Sequence, residues 1–477
     1  MVAGVVFSSH IFIFYFLALV LGAYYLAPKS WRHLVLTLAS YAFYGWWNPW
    51  FVFLMLASTW IDYRCGKIIS AEGSSPALRK AGLWTSVIVN LGILAFFKYA
   101  GFFSQNVSVF AEVIGLGEVM LPPFFYEIIL PVGISFYTFQ SMSYTIDIYR
   151  GHARPAPDFL GFACYVSMFP QLVAGPIVRY GSIADQIRSR SHSVGVFTYG
   201  LTRFNFGLAK KILLANPVGE IADLCFGAGD GSLSTPAAWI GVCAYAFQIY
   251  FDFSAYSDMA IGLGRMFGFR FPENFNSPYK AKSITEFWRR WHISLSSFLR
   301  DYLYIPLGGN RKGTARTYIN LMLVMLIGGL WHGAQWTFIA WGAIHGGMLA
   351  LERFTTRHCR GSFLPPPVKI IATFIVVLVT WVFFRAENFE VAGRYLGAMF
   401  GISESSPSAD LLLAQVTRPA ALLFLAACFW SAFAMPRSAE ILQTLTTGKV
   451  ILSLLLLLIA LGLMFTQAFN PFLYFQF

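Results

Sequence analysis

Three histidines stand in a stretch of an otherwise strongly apolar chain, between Tyr279 and His345. His292 lies in FWRRWHISL, His332 in GGLWHGAQW and His345 in IAWGAIHG. A titratable ring at membrane depth is costly to keep, so such a ring marks a functional site by default. A neutral imidazole can activate a hydroxyl by taking its proton. Gly328, Gly329 and Gly333 surround His332; small residues let helices approach closely and leave room for a ligand. The same residues suit a buried histidine bonded to a carbonyl, and both readings stand at this point. Beside His292 lie Arg289 and Arg290 with Trp288 and Trp291. Guanidinium forks grip phosphates, and the same four residues would serve equally as an interfacial anchor. Arg311 and Lys312 follow in PLGGNRK, a glycine turn with cations that lacks the GxxxxGK[ST] order of a phosphate-binding loop. Spacing alone does not bring His292 and His332 together. His345 is 13 residues beyond His332, about 3.6 helical turns, and is expected to be structural or supporting.

The elements that must position these rings are membrane helices. The chain has 477 residues, of which 57% are hydrophobic, 18% aromatic and only 12% charged, where soluble domains carry about 25% charged residues. Mean hydropathy is +0.61. This composition predicts an all-α, polytopic membrane protein. Net charge is +12, and ten of the basic residues fall between Arg265 and Arg316 against Glu273, Glu286 and Asp301. A nucleic-acid binder would carry such charge on the face of a soluble fold; here it suits the cytoplasmic flanks of spans, some of it also binding an anionic cofactor. The six cysteines (65, 164, 225, 243, 359 and 428) show no CxxC spacing and are expected to be free thiols, with no disulfide framework and no metal site.

Spans need roughly 20 mostly apolar residues. They are expected at Val5–Ala27, Leu34–Trp47, Phe51–Ile61, Leu83–Phe97, 130–151, Leu160–Ile177, Val196–Leu214, Ala237–Met266, Lys369–Phe384, Pro419–Ala434 and Ile451–Phe469. Together they give about 11 crossings with one or two re-entrant elements. The first is read as a transmembrane helix and not as a cleaved leader. Basic loops at 29–32 and 64–80 are placed inside, and the loop near 98–120, with Glu112 and Glu118, outside. LPVGISFYTFQSMSYTIDIYRG is too rich in Ser, Thr, Tyr, Gln and Asp147 to face lipid, so its polar face should line a cavity. Pro170 and Pro176 interrupt FPQLVAGPI, which membrane depth tolerates only where backbone is buried in protein or lines water. Asp252 and Asp258 in YFDFSAYSDMAIG need partners, with nearby arginines as candidates. His10, His33, His152, His192 and His358 fall near span ends and are expected to be solvated. No internal repeat and no soluble domain are seen, so residues 1–477 are expected to form one integral-membrane domain: N-terminal helices at 1–125, a core at 126–350 and C-terminal helices at 351–477.

FWRRWHISLSSFLRDYLYIPLGGNR followed by GGLWHGAQWTFIAWGAIHG resembles the signature of the membrane-bound O-acyltransferases, in particular the bacterial branch that O-acetylates alginate. LPVGISFYTFQSMSYTIDIYRG, FPQLVAGPIVRY, YFDFSAYSDMAIGLGRMFGFRFPENFNSPY and the terminal YFQF carry the same resemblance across nearly the whole chain. It implies the fold of that family, with a central tunnel through the membrane. His332 would be its catalytic histidine, either deprotonating the acceptor hydroxyl or carrying the acetyl briefly, and His292 its second active-site position. Asp252, Asp258, Gln248, Gln140, Trp331 and His345 would line or support the tunnel. The resemblance further implies acetyl-CoA as cytoplasmic donor, held through Arg289, Arg290, Arg311, Lys312, Trp288 and Trp291, with no metal. It also implies a location in the bacterial inner membrane, export and biosynthesis proteins for the polymer, and a periplasmic partner of the SGNH-hydrolase type. Cellulose or peptidoglycan could replace alginate as acceptor. Two further classes stay open from the residues: a polar-solute transporter using intramembrane His and Asp as a proton relay, for which inverted repeats would speak, and a scaffold without chemistry. Labelled acetyl-CoA separates them.

Overall fold

A computed structural model describes residues 6–117, 122, 125, 128–173, 175–358, 364–402, 406–467 and 473. Glu118, Cys359 and the terminal YFQF lie outside the described residues. Among the described residues all regular structure is helical. Many helix starts follow local chemistry. Asn48 and Ser75 accept from the backbone N–H of Trp50 and Leu78 and are each followed by a proline at the first helical position. Asp158, Asn388 and Thr446 cap in the same way, satisfying N–H groups that have no partner within the helix.

Several boundaries differ from those expected. Phe51–Ile61 is part of a 22-residue helix, Pro49–Ser70 (α1). Leu83–Phe97 lies inside Pro76–Val113 (α2), 38 residues long, so the expected outer loop from residue 98 is helical as far as Val113. A lone Lys98 does not end a helix whose apolar positions continue at Phe102, Phe103 and Val109. Leu160–Ile177 is broken as its prolines suggested, into Phe159–Ser167 and a single turn, Phe169–Leu172. Among the described residues, four helices are long and apolar enough to cross a membrane: α2, Thr314–His332, Pro366–Arg385 and Thr447–Thr466. A fifth results if Pro407–Val416 and Pro419–Phe433, bent by 59°, are one span. That is fewer than eleven. The reason lies in inward polar faces: Thr235–Met266 has 32 residues but carries Asp252, Asp258 and Arg265.

The chain packs as two compact units, Met1–Leu201 with Met259–Pro272, and Thr202–Asp258 with Glu273–Phe477. In the first, α1, α2 and Ile134–Tyr149 (α3) meet along a buried polar seam. Ser86 Oγ and Asn90 Nδ2 donate to Asp62 Oδ1 at 2.6 and 2.9 Å, and Ser86 Oγ is 2.9 Å from Thr145 Oγ1. Gly66 has no room for a Cβ because the Tyr144 ring lies against it. His33 and His192, expected to be solvated, are instead half-buried. Arg190 donates to His33 Nε2 at 2.7 Å and to the Tyr24 hydroxyl at 2.9 Å, and that hydroxyl lies 2.9 Å from His192 Nε2. Burial, then Arg32 and Arg190, hold His192 below the usual histidine range.

The second unit contains Thr235–Asp258 of the 32-residue helix (α4, Thr235–Met266), two short helices, Ile284–Arg290 (α5) and Ile293–Leu299 (α6), and an antiparallel pair, Thr314–His332 (α7) and Trp336–His358 (α8). It also holds Pro366–Arg385 (α9) and Thr447–Thr466 (α10). This unit holds all three histidines of the central stretch.

Candidate active site

The α7–α8 hairpin places His332. Its helices touch through glycines. A Cβ at Gly329 would collide with the Phe338 carbonyl oxygen, one at Gly342 with the Met325 carbonyl oxygen, and one at Gly333 with the Phe338 ring. Backbone therefore packs on backbone, the small-residue packing that membrane helices use in place of a hydrophobic drive. His332 is the last residue of α7 and is buried. Its ring lies 5.3 Å from Trp341 and 5.1 Å from Phe384, centroid to centroid, both edge-on.

Trp331 joins the two histidines. Its ring is 5.0 Å from His332 and 6.2 Å from His292. The chain thus brings His292 and His332, 40 positions apart, into contact with one indole. His345 lies beyond Trp341, at 4.9 Å. Its Nδ1 accepts from Trp288 Nε1 at 3.3 Å, and its Nε2 is 3.1 Å from Thr380 Oγ1. Thr380 gives its own proton to the Val377 carbonyl, so the Nε2–H of His345 is the donor to it. Both nitrogens of His345 are engaged in bonds that hold α5, α8 and α9 together.

His292 is the second residue of the two-residue junction, Trp291–His292, between α5 and α6. Its backbone is left-handed, φ 42° and ψ 56°, a conformation costing most side chains roughly 1–2 kcal/mol. Both flanks of the junction are clamped. Glu352, on α8, accepts from the N–H groups of Ile284 and Thr285 at 2.5 and 2.9 Å, placing a carboxylate at the positive end of α5. Asn274 receives the Ile293 N–H on its carbonyl at 2.9 Å and the Ser294 N–H on its side chain at 3.1 Å. The His292 ring is fully buried, with Phe253 edge-on at 4.7 Å.

The buried carboxylates are neutralised by cations of Val194–Lys210 and the turn after it. Lys211 Nζ is 2.6 Å from Asp252 Oδ1. Arg203 Nε donates to Asp258 Oδ1 at 2.7 Å, Ser438 Oγ donates to Oδ2 at 2.7 Å, and Lys210 pairs with the same oxygen. The expected arginine partner is thus one of three cations. Arg203 also reaches Glu273 at 2.7 Å. Beside this cluster opens a cavity of about 420 Å³. Arg203, Lys210, Asp258 and Asn274 form part of its polar wall, and Leu213, Leu214, Leu452 and Leu456 part of its apolar wall.

The remaining residues singled out from sequence fall in different settings. Arg289, Arg311 and Lys312 are exposed. Arg290 is held by Glu286 at 2.7 Å and by the Asn276 carbonyl at 3.0 Å. Trp291 is buried among Phe275, Phe287 and Trp381, at 5.1, 5.6 and 5.1 Å. Arg290, by contrast, stays partly exposed beside its Glu286 partner. Gln248 is buried on α4. Gln140, fully buried on α3, belongs to the other unit. Sequence reading missed Asn274, Glu352, Arg203, Lys210 and Lys211 as site-building residues. A charge inside an apolar run could have marked Arg203 and the lysine pair; nothing in spacing marks Asn274.

The sequence model of the family described as MBOAT, membrane-bound O-acyltransferase family, matches residues 34–390, a span that includes His292 and His332. Similar proteins cover most of the chain. The probable alginate O-acetylase AlgI of Azotobacter vinelandii is 48% identical over 412 residues, 86% of this chain and 81% of its own. The protein of the same name from Pseudomonas putida is 44% identical over 495 residues, 99% and 100% of the two chains. The peptidoglycan O-acetyltransferase of Helicobacter pylori is 39% identical over 436 residues, 83% and 80%.

Proposed function

This chain belongs to the membrane-bound O-acyltransferase family, and we propose that, as a multi-pass membrane acyltransferase, it moves acetyl groups from cytoplasmic acetyl-CoA across the bacterial inner membrane for O-acetylation of alginate. The observation that carries this reading is the pair of buried imidazoles, His332 and His292, that both pack against Trp331. The names of the relatives at 44–48% identity point to acetyl as the group and alginate as the polymer.

In this reading His332 takes the proton of the acceptor hydroxyl. The oxygen attacks the acetyl carbonyl, the C–S bond of the thioester breaks, and the leaving thiolate receives a proton, with His292 alongside to hold or return it. Positioning of a general base contributes about 10²–10⁴-fold. The exposed Arg289, Arg311 and Lys312 would meet the CoA phosphates at the cytoplasmic mouth, with Trp288 at the inner edge. A periplasmic partner of the SGNH-hydrolase type would complete transfer to the polymer, working beside export and biosynthesis proteins. The polar-faced helices α1, α3 and α4 would bring the crossings toward eleven around a central tunnel, with α5 and α6 re-entrant. Peptidoglycan is the second reading, favoured by the 39% relative.

The test is His332→Ala. Reconstituted protein given radiolabelled acetyl-CoA, the periplasmic partner and a mannuronate oligosaccharide should lose transfer, while insertion and the size-exclusion profile stay those of wild type. Normal acetylation by this variant removes His332 from the reaction. Glycan NMR on a deletion strain decides between alginate and peptidoglycan.

A further inference from the structure

The side-chain amide of Asn274 is oriented by its neighbours. A backbone N–H can only donate, so the Ser294 N–H at 3.1 Å identifies the atom it meets as the carbonyl oxygen, Oδ1. The Ser294 hydroxyl is 2.9 Å from the same oxygen. The other end agrees: Asn274 Nδ2 lies 3.3 Å from Ser257 Oγ, which can accept. An amide oxygen has no proton to give. The His292 Nδ1 that lies 3.2 Å from it is therefore the protonated nitrogen. The lone pair of the neutral ring is then on Nε2. The Asn274 backbone also clamps the junction, through Ile293 N–H to its carbonyl at 2.9 Å. One residue thus sets both the left-handed turn that presents the ring and the tautomer the ring adopts. Asn274 itself is buried, and it forms part of the wall of the 420 Å³ cavity.

We propose that Asn274 is a positioning residue for His292, fixing its Nδ1–H tautomer and the aim of the ring so that Nε2 exchanges the proton during acyl transfer. The inference rests on reading His292 as a member of the acyl-transfer site. Partners that fix tautomer and ring orientation are a recurrent requirement of working imidazoles.

Four reconstituted variants test it: Asn274→Ala, Asn274→Asp, His292→Ala, and the double Asn274→Ala/His292→Ala. Each is assayed with radiolabelled acetyl-CoA, the periplasmic partner in excess and mannuronate oligosaccharide across pH, and normalised to monodisperse protein. A misaim on the order of 1 Å costs about 10²-fold. Asn274→Ala should therefore lower kcat about 10- to 100-fold with KM for acetyl-CoA within about twofold. Asn274→Asp keeps the acceptor oxygen and adds a negative charge, which favours the protonated ring. It should retain more activity than Asn274→Ala and move the acid limb of the pH–rate profile to higher pH. In the His292→Ala background, Asn274→Ala should cost nothing further. Wild-type kcat in Asn274→Ala, an unmoved acid limb in Asn274→Asp, or an undiminished loss in the double variant would each overturn the positioning role. Should Asn274→Ala fail to fold, the Asn274→Asp profile decides alone. Wild-type turnover in His292→Ala would bring down the site reading itself, whereas an inactive His292→Ala beside a normal Asn274→Ala refutes only the positioning.

Discussion

Adding one methyl group at Gly329 should disable the enzyme without unfolding it. The new Cβ would collide with the Phe338 carbonyl oxygen and lie 3.1 Å from the Phe338 carbonyl carbon and 3.4 Å from the Gly342 Cα. All three are backbone atoms, so no side-chain rotation relieves the contact. Restoring an ordinary separation requires α7 and α8 to part by about 1 Å, an overpacking that costs about 1–3 kcal/mol. His332 stands three residues on, at the end of the same helix, and the rings that cage it lie on two other helices: Trp341 on α8, from which α7 would part, and Phe384 on α9. A catalytic group displaced by about 1 Å loses about 10² in rate. Gly329→Ala should thus reduce acetyl transfer from labelled acetyl-CoA about 100-fold, with thermal unfolding in detergent lowered by only a few degrees. Gly347→Ala is the matched control. It changes the same hairpin, but its added Cβ meets nothing within 4 Å, and it should be silent or slightly stabilising, since alanine favours helix by up to about 1 kcal/mol over glycine. Wild-type turnover in Gly329→Ala, or an equal loss in Gly347→Ala, would refute the idea that this backbone contact places His332.

Two other perturbations have defined outcomes. Lys211→Met strands the buried Asp252 carboxylate, now 2.6 Å from the ammonium; breaking one side of a buried pair should cost about 3–5 kcal/mol, and adding Asp252→Asn should recover part of it, both read by thermal unfolding. Glu440 is held below its ordinary range, first by the Arg437 side chain and then by the Arg437 backbone N–H. A depressed carboxyl stabilises above its unfolded value and loses that contribution as pH falls through the folded one. Amide exchange at residues 437–442 should therefore accelerate in the acid range, and Glu440→Gln should show the fast exchange already at neutral pH.

The helical class and membrane character were legible because composition alone dictates them: 12% charge cannot solvate a chain of this size as a globule. The break at Pro170 was legible because proline removes a donor and clashes with the preceding turn. The end of α2 was not. Lys98 and Glu112 look like loop residues in a linear reading, yet a helix carries isolated charges on one face without ending. His332 and His292 stood out as rings in apolar surroundings, but their meeting at Trp331 depends on the α7–α8 hairpin and on the 273–283 segment folding back to the junction at His292. No local pattern encodes such long-range contacts. Asn274 was invisible for a related reason. Its importance lies in three donors that reach it from residues 292 and 294, and asparagine in a loop otherwise signals only a turn. Arg290 was legible as a cation with the right chemistry for a phosphate; its pairing with Glu286 one turn earlier adds a partner without burying it.

The buried titratable groups of the second unit divide by what surrounds them, and the division argues for histidine chemistry. A buried carboxylate must be neutralised, and both Asp252 and Asp258 are, by Lys211, Arg203 and Lys210. Carboxylates paired in this way hold helices and shape the cavity wall. A neutral imidazole carries no such desolvation cost and can lie among aromatic faces while keeping a basic nitrogen. His345 spends both nitrogens on Trp288 and Thr380. His292 and His332 are instead packed edge-on against Phe253, Trp331, Trp341 and Phe384, surroundings that exclude bulk water and leave polar interactions there unscreened. An acyl group held in that setting is protected from hydrolysis until an acceptor hydroxyl arrives, a requirement for any enzyme that hands an activated acetyl across a membrane.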